Sequence, residues 1–451
     1  MELSARKRKL SSVQIIASYY ALTMITAAIL LWLPIMHNPG VEVSFIDAFF
    51  TAVSAVSVTG LTVVDTAGTF NLAGKTVLIV LFQIGGVGIM VLGTFMWIIL
   101  GRAIGLEQRR WIMVDQNQST LAGLVALMLS VLRIALIIEA VGAILLSVYF
   151  IYRGYYTNWP DALYHAIFAS VSAFTNAGFD ITGESLQPFA NDYVIVIINI
   201  FLIILGGIGF PVLIEISEFL ATVHLQKKFR FSLFTKVTTA TYFGLLVVGI
   251  IGFWLLERNH YLVDKSWHQA LVYSLFNSVT SRSAGLSTMD MAMTTEPTQI
   301  FISMLMFIGA SPSSVGGGIR TTTFIVVLLA IKAYMRGRQE IRIFRRELHP
   351  DDVQKALMVF IFAIIIVILS IFVIFAHEPF PLTAIIYDVS SAFGTCGSSV
   401  GITSELSVLS KSILMLLMFI GRIGIIPFLL LLKKDERKSG YHYLKERIIV
   451  G

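Results

Sequence analysis

The chain has 451 residues, of which 56% are hydrophobic and only 13% are charged, and its formal net charge is +6 at neutral pH. Because a soluble domain cannot bury so much apolar surface, this composition excludes a soluble protein and predicts a membrane protein with several spans. The single cysteine, Cys396, excludes both an intrachain disulfide and a cysteine-based metal cluster.

Eight apolar runs in the chain are each long enough to cross about 30 Å of hydrocarbon as a helix. The sixth run is interrupted at 310–318, where a proline and three consecutive glycines preclude regular helix. We therefore predict eight transmembrane helices, the sixth of them broken. The runs lie near residues 13–36, 73–100, 121–151, 193–221, 235–256, 299–333, 356–377 and 409–432.

A shorter class of apolar segment lies between the two spans of each successive pair. Each such segment has about 12–16 residues, or roughly 18–24 Å of helix, which is too short to cross the membrane. Each leads into a glycine, and the four glycines are Gly60, Gly178, Gly285 and Gly397. We interpret the four segments as re-entrant pore helices that enter the membrane from one side.

These glycines recur roughly every 110 residues, which indicates an internal repeat. One unit of helix, short helix, glycine turn and helix therefore occurs four times. We assign the helix–pore–helix repeats to residues 1–120, 121–233, 234–354 and 355–451, with an intramembrane loop at 310–318 in the third. The predicted fold is an all-α integral membrane protein with the repeats in pseudo-fourfold arrangement around one pore.

Most of the 33 lysines and arginines fall on one side of the predicted membrane. They lie in the N-terminal segment, near 102–110, 227–236 and 332–355, and in the C-terminal tail. This positive-inside pattern predicts that both termini are cytoplasmic. Acidic residues are more frequent in the loops of the outer side, where they concentrate cations and repel anions. The four glycine turns lie on that acidic side.

Irregular backbone at membrane depth is tolerated only where protein buries it or where it lines a water-filled path. Four glycine turns around one axis meet this condition as a ring of backbone carbonyls. Such rings replace the hydration shell of monovalent cations, and glycine supplies the freedom to turn successive carbonyls inward. Because each short helix ends at its turn, the negative ends of four helix dipoles also favour a cation there.

The four turns resemble those of the Trk/Ktr/HKT superfamily of potassium transporters, specifically its Ktr-type ion-translocating membrane subunits. They read SVTGL at 57–61, FTNAGF at 174–179, SRSAG at 281–285 and SAFGTCG at 391–397. The resemblance implies a selectivity filter lined by the glycine of each repeat. Gly60 in place of serine is the family's sign of potassium over sodium selectivity, whereas Cys396 departs from the small aliphatic or hydroxyl residue expected. The candidate ion-binding residues are Val58, Thr59, Gly60, Asn176, Ala177, Gly178, Ser283, Ala284, Gly285, Thr395, Cys396 and Gly397.

The resemblance also implies a gate, because Ktr-type proteins have an intramembrane loop in the broken span. A passive linker between two half-helices is the alternative interpretation of this glycine- and serine-rich stretch. Arg422 favours the gate, since a cation inside a span needs partners and the resemblance places it near the loop. The candidate gate residues are Ala310, Ser311, Ser313, Ser314, Gly316, Gly317, Gly318 and Arg422.

Other polar or glycine-rich positions in the spans have structural interpretations. Glu139 could line an ion path, but interhelical hydrogen bonding is favoured. The side chain of Asn176 is a candidate to bond neighbouring backbone instead of the ion. The clusters at 85–88 and 206–209 resemble phosphate loops, but no strand precedes them and no lysine follows. Close helix packing is therefore the preferred interpretation of both clusters.

We expect potassium uptake across the plasma membrane of a bacterial cell, with no enzymatic activity and no covalent cofactor. The resemblance implies a homodimer in the lipid bilayer, seated on a separate cytosolic ring, and ATP or ADP would bind that partner only. Sodium dependence is left open, and no nucleic-acid partner is expected. The alternative function is a secondary transporter of a small organic solute with a midplane site, although such folds usually show two-part symmetry.

Overall fold

A computed structural model of the chain describes residues 11–99, 104–115, 123–223, 229–338 and 340–432, together with Leu444 and Glu446. The predicted cytoplasmic N-terminus, the repeat boundary at 120/121 and the predicted end of the fourth repeat lie outside these residues. Within them the chain is helical apart from connecting loops and one small hairpin.

The helices follow one another along the described chain, separated by short loops. They are α1 (Ser12–Trp32), α2 (Phe45–Ser57), α3 (Thr66–Thr69), α4 (Leu72–Val87), α5 (Ile89–Ile99), α6 (Leu106–Asp115), α7 (Leu124–Arg153), α8 (Trp159–Phe174), α9 (Tyr193–Gly207), α10 (Phe210–Val223), α11 (Leu233–Glu257), α12 (Trp267–Thr280), α13 (Glu296–Ile308), α14 (Thr321–Met335), α15 (Pro350–His377), α16 (Leu382–Gly394), α17 (Val408–Ile423) and α18 (Ile425–Leu432). The hairpin pairs β1 (Arg342–Ile343) with β2 (Arg346–Glu347) in antiparallel register.

Four of these helices, α1, α7, α11 and α15, have 21 to 30 residues and are apolar enough to cross a membrane. Three further pairs have the composition of a span but are bent: α4 with α5 by 102°, α9 with α10 by 104°, and α17 with α18 by 107°. The sixth predicted run contains α13 and α14, each shorter than a span, on either side of an irregular loop. These elements fit an all-α membrane protein, as the composition predicts, and the count of eight spans stays a prediction.

The bends correct the prediction that residues 73–100, 193–221 and 409–432 each form a continuous helix. They occur at Gly88, Gly209 and Gly424, whose φ angles are +104°, +105° and +94°. A left-handed φ interrupts the helical hydrogen-bond ladder, and glycine adopts it without a steric penalty. The apolar pattern did not register the bends because both halves of each run are apolar.

The four predicted short segments are helices α2, α8, α12 and α16, with 13 to 16 residues each. Their starts carry local signals: Ser44 Oγ accepts a hydrogen bond from the Asp47 N–H at 3.1 Å in α2. In α12, Gln269 accepts one from the Ser266 N–H at 3.0 Å, as part of a capping box. Each short helix packs against the long helix that precedes it, which is α1, α7, α11 or α15.

The same contact joins the short and the long helix in the second and third repeats. Ser170 Oγ donates to a carbonyl oxygen of α7 at 2.8 Å, and Ser278 Oγ donates to a carbonyl oxygen of α11 at 2.7 Å. A glycine of the long helix, Gly142 or Gly249, lies against the serine hydroxyl and leaves no room for a Cβ. These glycines therefore permit the close approach that the hydrogen bonds need.

The contact predicts that Gly249→Ala destabilises the protein, because the added Cβ would overlap Ser278 Oγ. Overpacking of this kind costs about 1–3 kcal/mol, so the midpoint of thermal unfolding in detergent should fall. The matched control is Gly244→Ala in the same helix, where the Cβ has no heavy atom within 4 Å. Since alanine favours helix by about 1 kcal/mol over glycine, the control should be neutral or stabilised. Equal midpoints for the two variants would contradict the proposed packing.

Candidate functional site

The four glycines of the predicted turns lie together in the structure. Each abuts the carbonyl oxygen of the residue that precedes another glycine of the set, and a Cβ on Gly60 would lie only 2.6 Å from the oxygen of Ala177. The fourth glycine abuts the first turn, so the four turns form a closed ring. The abutting pairs are Gly60 with Ala177, Gly178 with Ala284, Gly285 with Cys396, and Gly397 with Thr59.

The backbone of each turn alternates in handedness. The ring glycines have φ angles of +90°, +72°, +70° and +90° in chain order, and the residue two positions earlier is also left-handed in every turn. In a regular strand successive residues face opposite sides, so a left-handed residue at every second position allows successive carbonyls to face one side. For residues other than glycine this conformation costs about 1–3 kcal/mol, which the surrounding packing must offset. The left-handed residues before the glycines are Val58, Asn176, Ser283 and Thr395.

A hydroxyl group near the end of each short helix supports the turn that follows it. In the first and fourth repeats, Ser54 and Ser391 accept a hydrogen bond from the N–H of the ring glycine, at 3.1 and 3.0 Å. In the second and third repeats, Ser172 and Thr280 donate to the carbonyl of the residue after the ring glycine, both at 2.6 Å. These four residues were missed from the sequence. Their recurrence at nearly the same distance before each glycine is the signal that could have identified them.

The carboxyl-terminal ends of all four short helices approach the ring, since α2, α8, α12 and α16 each end just before a turn. The end of a helix carries roughly half a negative charge from the aligned peptide dipoles. Four such ends, added to the carbonyl oxygens of the turns, make the surroundings of the ring attractive to cations. The arrangement is unfavourable to anions for the same reason.

A second set of glycines lies behind the ring. Gly85, Gly206 and Gly421 each abut a carbonyl oxygen at the end of α2, α8 and α16, respectively, and none has space for a Cβ. Gly85 and Gly206 belong to the two clusters that resembled phosphate loops, so the preferred interpretation of close helix packing is confirmed. In the third repeat the corresponding residue, Gly309, abuts the carbonyl of Gly317 instead.

Seven of the eight candidate gate residues, those at 310–318, lie in an irregular loop between α13 and α14, whereas Arg422 lies in α17. The N–H groups of Ser311 and Val315 donate to the carbonyl oxygens of Gly207 and Gly206, at 3.1 and 3.3 Å. The loop therefore docks on the glycine cluster of the second repeat, at the carboxyl end of α9. The prediction that this stretch is not regular helix is confirmed.

One hydroxyl connects this loop to the ring. Ser283 Oγ accepts a hydrogen bond from the Gly317 N–H at 3.3 Å and donates one to the Thr395 carbonyl oxygen at 2.7 Å. The space around Gly316 is equally tight, because a Cβ there would lie 2.5 Å from Ser283 Oγ. The loop is thus in direct contact with the third turn and, through Ser283, with the fourth.

Two arginines bind the loop through backbone carbonyls. Arg422, buried near the end of α17, donates to the carbonyl oxygens of Val315 in the loop and Gly85 in the first repeat. Arg320, just before α14, donates to the carbonyl oxygen of Gly316. No role was assigned to Arg320 from the sequence, although a cation inside a predicted span beside three glycines was a usable signal.

A cavity of about 180 Å³ lies beside the loop and has room for several water molecules. It is lined by both arginines, by the bends at Gly88 and Gly424 and by residues of α1 such as Tyr20. The loop therefore borders a space large enough for water, since Pro312, Ser313 and Ser314 line the cavity.

Two polar residues singled out from the sequence have different outcomes. Glu139 is buried and accepts a hydrogen bond from Gln83 Nε2 of α4, which confirms the favoured interhelical hydrogen bond. The side chain of Asn176 is also buried, but neither its oxygen nor its nitrogen has a hydrogen-bond partner among the described residues. The proposed bond from Asn176 to neighbouring backbone is therefore wrong.

The family model of the TrkH cation transport proteins matches residues 6–440. The chain belongs to this family. The TrkH-family chain is 51% identical over 442 residues to Ktr system potassium uptake protein D of Bacillus subtilis (strain 168), with 98% of both chains covered. It is 35% identical over 459 residues to potassium/sodium uptake protein NtpJ of Enterococcus hirae, covering 100% of this chain and 99% of that protein.

A solved structure shares the fold of this TrkH-family protein. The crystal structure of the potassium transporter TrkH from Vibrio parahaemolyticus aligns with a TM-score of 0.75 at 19% identity, covering 96% of this chain and 87% of that chain. The family model and the Ktr relative confirm the resemblance to the Trk/Ktr superfamily. The structural alignment supports the fold class of a helical, multi-pass membrane protein. Membership of a cation transport family also confirms that the TrkH-family chain is not an enzyme.

The ring predicts that Gly397→Ala abolishes most cation flux through the TrkH-family protein, because the Cβ would overlap the Thr59 carbonyl oxygen. The measurement is cation uptake into proteoliposomes, and a loss of at least tenfold is expected. Gly401→Ala is the matched control, since Gly401 has a similar φ of +96° but no heavy atom within 4 Å of its Cβ. If both variants lose flux equally, backbone strain and not ring closure is responsible.

Proposed function

We propose that this chain takes up potassium across the bacterial cell membrane and that the ring of four turns is its selectivity filter. The observation that carries the proposal is the closed contact of Gly60, Gly178, Gly285 and Gly397. The names of the relatives support the choice of ion, since one is a potassium uptake protein and another a potassium/sodium uptake protein. An organic solute, the alternative substrate, has no comparable support.

In the proposed architecture the chain has eight spans and four re-entrant pore helices, arranged as four repeats around one pore. The four long helices, the three bent pairs and the interrupted pair α13 and α14 support eight crossings. The proposed repeats keep the bounds 1–120, 121–233, 234–354 and 355–451. The distribution of lysine and arginine supports cytoplasmic termini.

In the proposed mechanism a potassium ion sheds its water and is coordinated by the carbonyl oxygens of the twelve candidate filter residues. The ring is supported from behind by the four hydroxyls and the second set of glycines, so it does not have to reorganise when the ion arrives. The four helix ends make the filter attractive to cations, and no covalent step occurs. Sodium dependence is compatible with a relative that is a potassium/sodium uptake protein.

The loop at 310–318, with Arg422 and Arg320, is the proposed gate. Its contact with Ser283 supports this role, because movement of the loop has to break a hydrogen bond beneath the ring. The arginines support it too, since their positive charges lie beside the cavity through which a cation would pass. A passive linker would not need a buried arginine, Arg422, and a second, half-buried one, Arg320.

A homodimer and a separate cytosolic ring that binds ATP or ADP complete the proposed assembly. The proposal of these partners is based on the resemblance to Ktr-type membrane subunits. To test the dimer and the partner, the chain is purified with and without a candidate cytosolic nucleotide-binding subunit, and the mass of the particles is measured. A monomer that carries full, nucleotide-independent flux would contradict them.

The direct test of the function is growth of a bacterial strain that lacks its own potassium uptake systems, at low external potassium. Expression of the chain should restore growth. Expression of the Gly397→Ala variant should not, whereas Gly401→Ala should behave as the unaltered chain does. Failure of the unaltered, membrane-inserted chain to restore growth would contradict potassium uptake.

Substitution of the first ring glycine tests the selectivity of the filter. Gly60→Ser places a side chain against the Ala177 oxygen and the Cα of Gly178, at 2.6 and 2.8 Å from the new Cβ. We expect the permeability of sodium relative to potassium to rise about tenfold, which corresponds to about 1.4 kcal/mol. Gly40→Ser, at a similar φ with no heavy atom within 4 Å, is the control. Unchanged selectivity in Gly60→Ser would remove the filter assignment.

The proposed gate predicts that Arg422→Met increases resting flux several-fold, because the loop loses its tie to the first repeat. The measurement is potassium efflux from loaded proteoliposomes without a regulatory partner. Arg346→Met removes an exposed arginine of the hairpin and serves as the control. A well-folded Arg422→Met protein with unchanged or lower resting flux would favour the passive linker.

A further inference from the structure

Arg282 lies in the third turn, directly before the candidate ion-binding residue Ser283, and is completely buried. Its side chain is among the largest that are fully buried in the described part of the protein. Its Nη2 donates to the Leu305 carbonyl oxygen at 2.6 Å. The other two guanidinium nitrogens, Nε and Nη1, have no hydrogen-bond partner among the described residues.

No carboxylate of the described residues forms an ion pair with Arg282. Tyr242 and Cys396 have titratable side chains that interact electrostatically with Arg282, and neither a tyrosine hydroxyl nor a cysteine thiol supplies a negative charge at neutral pH. Burial also keeps solvent from screening the guanidinium. Arg282 is therefore a buried positive charge without an ion-pair partner among the described residues.

This charge lies behind the ring. Arg282 is three positions before Gly285, and Cys396, within its electrostatic range, directly precedes the ring glycine Gly397. Gly285 abuts the carbonyl of Cys396, so the guanidinium lies near the junction of the third and fourth turns. The hydrogen bond to Leu305 requires only one of its nitrogens, and a structural role alone does not account for an unpaired buried cation.

The ring by itself is strongly negative. Four helix ends at about half a charge each amount to roughly two negative charges, to which the carbonyl dipoles add. Such a field binds a divalent cation more strongly than a monovalent one, whereas conduction requires that the ion can also leave. A fixed positive charge behind the ring reduces the field. Because the interaction energy is proportional to the charge of the ion, the reduction is twice as large for a divalent ion.

We propose that Arg282 determines specificity at the ring: its buried charge weakens cation binding and thereby favours rapid exchange of monovalent ions over retention of divalent ones. The inference rests on the proposed filter function. It assigns to Arg282 an effect on ion occupancy that does not require contact with the ion.

Inhibition of potassium flux by Ba²⁺, which is close to K⁺ in size but has twice the charge, tests the inference. The variants are Arg282→Gln, Arg282→Met and Arg282→Lys, assayed in proteoliposomes. In the two neutral variants the half-inhibitory Ba²⁺ concentration should fall at least tenfold, and the half-saturating K⁺ concentration by roughly the square root of that factor. Arg282→Lys, which keeps the charge, should stay within about twofold of the unaltered protein.

If Arg282 had only a structural role, both of these concentrations would rise in the neutral variants, since a loosened ring would bind Ba²⁺ and K⁺ more weakly. Tyr242→Phe controls for disturbance of the same buried region, because it removes a hydroxyl near Arg282 without changing charge, and its Ba²⁺ sensitivity should not change. Unchanged or weaker Ba²⁺ inhibition in a folded neutral variant overturns the inference. So does failure of both neutral variants to fold while Arg282→Lys folds.

The unaltered protein separates this inference from the proposed function. If it carries no potassium flux in these vesicles, the proposed function fails. If it carries flux and Ba²⁺ inhibits the neutral variants as it inhibits the unaltered protein, only the proposed role of Arg282 fails.

Discussion

The structure depends on one steric condition, the contact of four glycines with four carbonyl oxygens around a closed ring. A side chain at any of the four would push neighbouring turns apart, and a left-handed φ at each would strain any other residue. The condition requires four separate parts of the chain to arrive at one place with the same backbone geometry. The repeated unit of long helix, short helix and turn delivers them there.

Close backbone contacts also surround the ring. In three of the repeats a glycine of the following helix admits the end of the short helix. In each turn a serine or threonine hydroxyl bonds either the N–H of the ring glycine or the carbonyl of the residue after it. The loop below joins this framework through Ser283. Three arginines near the ring and loop donate hydrogen bonds to backbone carbonyls. Arg282 and Arg422 are buried and Arg320 is half-buried. In the proposed account they place fixed positive charge beside a negative ring.

Much of this arrangement could be predicted from the sequence because the ring requires glycine, and four glycines at even spacing with matching flanks are visible without a structure. The bends at Gly88, Gly209 and Gly424 could not, since hydropathy records how apolar a helix is and not its direction. The hydroxyls were missed because serine and threonine are common and their bonds depend on tertiary approach. The outcome for Asn176 depended on its tertiary surroundings, where its amide lies beside Gly207 of α9, and local sequence does not specify these.

The most direct measurement is the position of a bound ion, determined from anomalous scattering of Rb⁺ in place of K⁺ in crystals of the protein. The account predicts a peak on the axis of the ring, within coordination distance of the carbonyl oxygens of Thr59, Ala177, Ala284 and Cys396. An ordered Rb⁺ elsewhere in the protein, with the ring empty at saturating concentration, would contradict it.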